Sequence, residues 1–239
     1  RLDQWLILEP LLRNYFKISR DYYYSIIPTA TPYSRNAIFA GMFPSEIEKE
    51  IPELWDDGNE EDDISRNRFE LELLEAQLKR LQIDLKPGPK YAKVLNIQES
   101  VEVTRKINEY GSVPLSAIVF NFVDILAHSR SSSKVIKEMI PNEAAFRSVT
   151  RAWFEHSHLF TALRKLAANG NTVVVTSDHG SIRGLHGAKV IGDRETSTSL
   201  RYKYGKNIKA NPKNAMTIKN PEEYKLPARG VNTNYIIAK

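Results

Sequence analysis

Two apolar runs set the tightest limit on the fold. Residues 115–123 (Leu115-Ser116-Ala117-Ile118-Val119-Phe120-Asn121-Phe122-Val123) and 172–176 (Thr172-Val173-Val174-Val175-Thr176) are short and almost continuously apolar. They lack the alternation of a strand that is wet on one face, and so predict parallel strands covered on both faces. Between them, residues 145–168 place Phe146, Val149, Trp153, Phe154, Leu159, Phe160, Leu163 and Leu166 at helical spacing and stop at Asn169-Gly170, a favoured helix-ending pair. Strand, helix, strand in that order predicts an α/β layered domain with a mainly parallel central sheet flanked by helices.

The same spacing predicts helices over 5–18, 36–42 and 66–83, the last closed by Lys86-Pro87-Gly88-Pro89. Tyr22-Tyr23-Tyr24-Ser25-Ile26-Ile27, ended by Pro28, predicts a further buried strand, and the Pro- and Lys-rich stretch 206–227 a loop. At 239 residues the chain can bury a core without staples. It contains no cysteine, which excludes a disulfide scaffold, a thiolate metal site and a cysteine nucleophile. No run approaches the roughly 18 apolar residues of a membrane span. The opening Arg1-Leu2-Asp3-Gln4-Trp5 is too charged for a signal core, so the expected location is cytoplasmic, away from membrane.

The net charge of +5 is unevenly spread. Residues 46–63 hold ten acids against Lys49, an exposed acidic loop by composition. Residues 183–239 hold twelve bases against four acids, a distribution that concentrates polyanions such as phosphodiesters or simply forms a solvated basic face. Arg201-Tyr202-Lys203-Tyr204 and 192–196 add basic and aromatic groups suited to a substrate channel.

Active sites of parallel sheets gather at the carboxyl ends of strands. The first apolar run leads into Asp124 and His128, four apart and thus one turn apart if a helix starts there; the second leads into Ser177-Asp178-His179-Gly180. Carboxylate and imidazole donors of this kind suit zinc, with manganese second. After the Tyr-rich run, Pro28-Thr29-Ala30-Thr31-Pro32 enters a helix, where exposed amides favour an anion. A hydroxyl there serves either as a nucleophile or as a plain helix cap. Arg35 follows one turn on, within reach of a phosphate or of a surface acid. His156 and His158, on the long helical pattern, read as structural.

Taken together, Pro28-Thr29-Ala30-Thr31, Asp124 with His128, and Thr176-Ser177-Asp178-His179-Gly180 resemble the alkaline phosphatase superfamily in its PglZ branch, in particular the effector domain of PorX-type response regulators of the type 9 secretion system. The resemblance runs over 1–239 as a single domain. It implies a zinc-dependent phosphodiesterase with two divalent ions about 4 Å apart that clamp the attacking and leaving oxygens. Asp124 and His128 would hold one ion; Asp178, His179 and the nucleophile Thr31 the other, with Thr29 as the alternative nucleophile. Nucleotide or oligonucleotide phosphodiesters are the implied substrates, a transcription factor or sensor kinase the implied protein partner, and a homodimer is left open. The alternative is a non-catalytic signalling domain that binds such a partner. The family's opening strand with its metal-binding Asp, and its late His-Gly-Gly segment, have no counterpart here; His186 is the available substitute for the late ligand.

Overall fold

The computed structural model describes residues 2–56, 67–181, 184, 187–192 and 201–239. In chain order these form α1 (Leu2–Leu12), α2 (Thr31–Ala40), α3 (Pro44–Glu50), α4 (Glu70–Arg80), β1 (Lys90–Val94), α5 (Ile97–Arg105), α6 (Ile107–Gly111), β2 (Ser116–Phe120) and α7 (Phe122–Ser132). Then come α8 (Lys134–Met139), α9 (Glu143–Glu155), α10 (His158–Ala168), β3 (Val190–Ile191), β4 (Tyr202–Gly205), β5 (Lys209–Ala210), β6 (Ala215–Ile218) and β7 (Asn234–Ala238). The chain is α/β, and its residues gather into two compact units: Arg1–Tyr22 with Asp84–Val175, and Tyr23–Ile83 with Thr176–Lys239.

In the first unit, β1 and β2 pair in parallel, from Lys90 opposite Ser116 to Val94 opposite Phe120, and the chain crosses between them through α5 and α6. Val94, Val103, Ile107 and Ala162 bury together, with Ala92, Ile118 and Phe120 packed against them. β1 itself, Lys-Tyr-Ala-Lys-Val, carries too few apolar side chains for sequence periodicity to reveal it. A second cluster joins Leu12 of α1 to Phe154 and Leu163. The helix expected over 145–168 is two helices. Ser157 Oγ accepts from the Phe160 N–H at 3.1 Å and starts α10 afresh, while α9 buries Phe146, Thr150 and Phe154, spaced four apart. α7 follows β2 directly and is pinned by Phe122, whose ring stacks on Trp153 at 3.7 Å.

Two expected strands are absent from the described residues. Residues 172–176 and 22–27 join no ladder; Val174 is 85% exposed and Tyr24 fully so. A β-prone run becomes a strand only where another edge supplies N–H and C=O groups, and apolar content cannot supply that edge. In the second unit, side chains bridge these stretches instead. Tyr23 Oη meets Thr176 Oγ1 at 2.8 Å and donates to the Ser177 carbonyl, and Ser25 Oγ donates to the Asp178 carbonyl at 2.6 Å.

The second unit is built on an antiparallel sheet in the order β4-β7-β6, with Tyr202 opposite Ile237 and Ala215 opposite Ala238; β3 pairs with β5. The stretch 206–227, expected as loop, thus contains β5 and β6. Its lysines face water while Ala215 and Ile218 turn inward. Tyr33, Tyr202, Ile218, Leu226, Tyr235 and Ile237 form the core, where each aliphatic side chain contributes about 1.5–3 kcal/mol by burial. Tyr202 therefore serves packing: Tyr33 of α2 stands edge-on to it at 5.3 Å, which seats α2 on the sheet. The other end of α2 stops at Gly41 in the left-handed region (φ 59°), where a Cβ would meet the Gln77 side chain.

Candidate active site

The entry into α2 decides what its threonines do. Ala30 is the N-cap, in extended conformation and without a side-chain cap; Thr31 is the first helical residue and Pro32 the second. The hydroxyl of Thr31 is therefore not consumed in capping the helix. It lies 3.0 Å from Nε2 of His179, a residue 148 positions away in sequence and only 7% exposed. Thr29 faces elsewhere, its Oγ1 accepting from Arg201 Nη1 at 3.1 Å and its carbonyl from the same nitrogen.

The His179 ring is oriented by its own turn. Its Nδ1 stands 2.8 Å from the Gly180 carbonyl and 3.2 Å from Arg201 Nη1, and cannot donate and accept at once. Because Arg201 Nη1 already has both Thr29 oxygens, Nδ1–H donates to Gly180, which leaves the Nε2 lone pair directed at Thr31. Asp178 Oδ1 accepts the His179 N–H at 3.0 Å, and its Oδ2 stands 3.7 Å from Nε2. Hydroxyl, carboxylate and imidazole thus converge in one place in the second unit.

The back of α2 is fixed by a buried polar network with the residues leading into α4. Asn67 Nδ2 donates to Asn36 Oδ1 at 3.0 Å and to the Thr31 carbonyl at 3.4 Å. Arg35 Nε lies 2.6 Å from Glu70 Oε1, with the side chains 12% and 0% exposed. The structure therefore places Arg35 in a buried ion pair. Deeper still, burial pushes the Tyr33 hydroxyl well above its usual range and does the same to Tyr235, so both stay neutral phenols under the site.

The other candidate couple belongs to the first unit. Asp124 lies in the first turn of α7 and His128 one turn on, Oδ2 to Nε2 3.5 Å, as the four-residue spacing predicts. The pair is open to solvent, His128 at 69% and Asp124 at 32%. Among the described residues no three His, Asp or Glu side chains cluster. His186, Arg183 and residues 193–196 lie outside the described residues, as does 57–63 of the acidic run. Arg201, expected from its basic and aromatic segment to line a substrate channel, instead ties down Thr29. Asn67 and Glu70 were missed as site residues by sequence reasoning, and no local signal marks them: each acquires its role from a partner at least 31 residues away.

A family model, the BREX system PglZ alkaline phosphatase-like domain, matches residues 1–236. The chain belongs to the PglZ family. No curated protein matches it. PglZ domains are alkaline phosphatase-like, a phosphohydrolase class that generally uses divalent metal ions. The residues present fit such an ion. Oxygen from Thr31 and Asp178 and nitrogen from His179 are donors that zinc accepts, and the His179 Nδ1–H held by a backbone carbonyl is the arrangement that presents Nε2 to a metal. No helix among the described residues is long and apolar enough to cross a membrane.

Proposed function

We propose that this PglZ chain is a divalent-metal-dependent phosphodiesterase with Thr31 as nucleophile, acting on nucleotide or oligonucleotide phosphodiesters. The observation that carries the reading is the uncapped Thr31 hydroxyl 3.0 Å from His179 Nε2, with Asp178 beside it. Thr31, Asp178 and His179 would hold an ion, zinc before manganese; such an ion lowers the pKa of a bound hydroxyl and offsets charge on phosphate oxygens. Within this scheme the Thr31 hydroxyl gives its proton to solvent, Oγ1 attacks phosphorus in line, the bond to the leaving alkoxide breaks, the alkoxide takes a proton from water, and a phosphothreonine forms. Water then attacks that phosphorus, the P–Oγ1 bond breaks, the phosphate monoester leaves, and the water's proton restores the Thr31 hydroxyl. The Gly180 carbonyl holds the His179 ring through Nδ1, and Asp178 Oδ1 holds the His179 backbone N–H. Arg201, tied to Thr29, holds the loop that delivers Thr31, and the Arg35–Glu70 pair holds the helix behind it. Basic residues over 201–239 would raise the local concentration of polyanionic substrate.

By its likeness to PorX-type effectors, the wider role is that of an output domain in two-component control of type 9 secretion, in the cytoplasm. The test is hydrolysis of bis(p-nitrophenyl) phosphate with added zinc. The parent should turn over and Thr31→Val should lose at least about a hundredfold, the scale of a removed nucleophile. A Thr31→Val protein as active as its parent refutes the mechanism. A parent that is folded yet inert, but still binds a transcription factor or sensor kinase, points to a non-catalytic signalling domain.

A further inference from the structure

Thr31 shares a stripe of α2 with a cavity. Ser34, Ala37, Ile38 and Gly41 follow it at helical spacing on one side of the helix, and all four line a space of about 390 Å³ whose wall also includes Asp178. The first of these residues is three positions from Thr31, within a single turn of about 5.4 Å. The volume falls in the range of small-molecule sites, about 300–1,000 Å³, and the wall is largely apolar. Tyr24 and Phe43 present exposed rings to it.

One carboxylate other than that of Asp178 lines the cavity, Glu46. Its Oε2 accepts the Phe43 N–H at 2.8 Å and its Oε1 lies 3.3 Å from Lys225 Nζ. The Phe43 N–H above all, then Lys225 against the opposing effect of burial, holds the carboxyl below its usual range, so Glu46 is an anion at neutral pH. Each oxygen keeps a second lone pair. The cavity thus combines aromatic and aliphatic walls with a two-oxygen acceptor and lies within one helical turn of the candidate nucleophile.

We propose that this cavity seats the nucleobase of the phosphodiester substrate and prefers guanine, with Tyr24 and Phe43 against the ring faces and Glu46 accepting from guanine N1–H and the 2-amino group. The proposal rests on the phosphodiesterase reading for its substrate class. Guanine offers two adjacent donors that match a carboxylate. Adenine and cytosine offer one amino group beside a ring acceptor, and uracil one N–H between two carbonyls that repel the anion. Stacking on exposed aromatic rings is sequence-tolerant, so discrimination falls to Glu46.

The experiment measures binding of guanosine, adenosine, cytidine and uridine to the whole chain by equilibrium dialysis. Nucleosides carry no phosphate and report the cavity alone. Guanosine should bind about tenfold tighter than uridine, the effect of a charged hydrogen-bond pair at a partly wet site. Glu46→Gln keeps an oxygen for the Phe43 N–H and should bring that ratio close to one; Phe43→Ala should weaken all four nucleosides together. Equal binding of guanosine and uridine, no nucleoside binding, or a ratio unmoved by Glu46→Gln overturns the proposal. Hydrolysis of bis(p-nitrophenyl) phosphate, which has no base, is measured in parallel. Turnover without base preference sinks the base pocket alone, and base preference without turnover sinks the phosphodiesterase reading alone.

Discussion

Arg35 can be asked directly whether it serves the substrate or the helix. It meets Glu70 at 2.6 Å in a place where the acid is fully buried and the base nearly so. At an effective dielectric of about 20 the attraction at that distance is about 6 kcal/mol. Removing two ions from water costs several kcal/mol each, so the intact pair is worth little against a well-packed apolar pair of the same volume. Breaking it is another matter. Glu70→Ala leaves the Arg35 charge buried without its counter-ion and adds a cavity, a loss of about 3–5 kcal/mol. For a chain of 239 residues, with about 2–4 °C per kcal/mol, the melting temperature should drop by about 6–20 °C. Arg35→Met with Glu70→Leu should recover most of it. Thermal and urea unfolding of the parent, Arg35→Met, Glu70→Leu and the double variant give the coupling energy of the pair. A Glu70→Ala protein within 1 kcal/mol of its parent, or a double variant no better than the single, would refute this account. The same double variant settles the role: a well-folded protein that still cleaves phosphodiesters assigns Arg35 to structure, and one that has lost cleavage assigns it to the phosphate.

Three further outcomes are expected. Burial raises the folded-state pKa of Tyr33 and Tyr235 above the unfolded value near 10, so the stability tied to their neutral form is complete below pH 10 and is lost as pH climbs from there toward the folded values; urea titrations from pH 8 to 12 should show the fall, and Tyr33→Phe should flatten it. Gly41→Ala should cost about 1–2 kcal/mol in urea unfolding, mostly from the left-handed backbone at φ 59°, because the Gln77 side-chain end that its Cβ meets can swing aside; no loss would contradict that conformation. Zinc at a hundred times its dissociation constant should stabilise the protein by about 2.7 kcal/mol, and His179→Ala should reduce the shift, as read by thermal unfolding with and without chelator; an unchanged shift removes His179 from the donor set.

Much of the helical architecture was legible from periodicity, because a helix satisfies its own backbone and needs only a consistent apolar stripe to show itself. α4 lies inside the expected 66–83, and α9 with α10 inside the expected 145–168 save for two residues at the start. The break between α9 and α10 at Ser157 was hidden because the apolar spacing continues across it. Strands fared differently. β2 was found, but residues 22–27 and 172–176 read just as strongly and have no ladder, while β1 gave no signal and β5 and β6 fall in a stretch expected as loop.

The sequence alone determined the chemistry on offer: no thiol, two carboxylate–imidazole couples, a Pro-Thr-x-Thr turn before a helix, a basic C-terminal quarter, and the motifs that mark a PglZ domain. Tertiary structure decided which groups meet. It aimed the Thr31 hydroxyl at His179 and the Thr29 hydroxyl at Arg201, drew Arg35 into Glu70, and buried Tyr202 as a packing residue. The physical reason is range. Spacing along a chain fixes only neighbours within a turn or a strand, whereas a contact across 148 residues exists only after the core beneath α2 has closed.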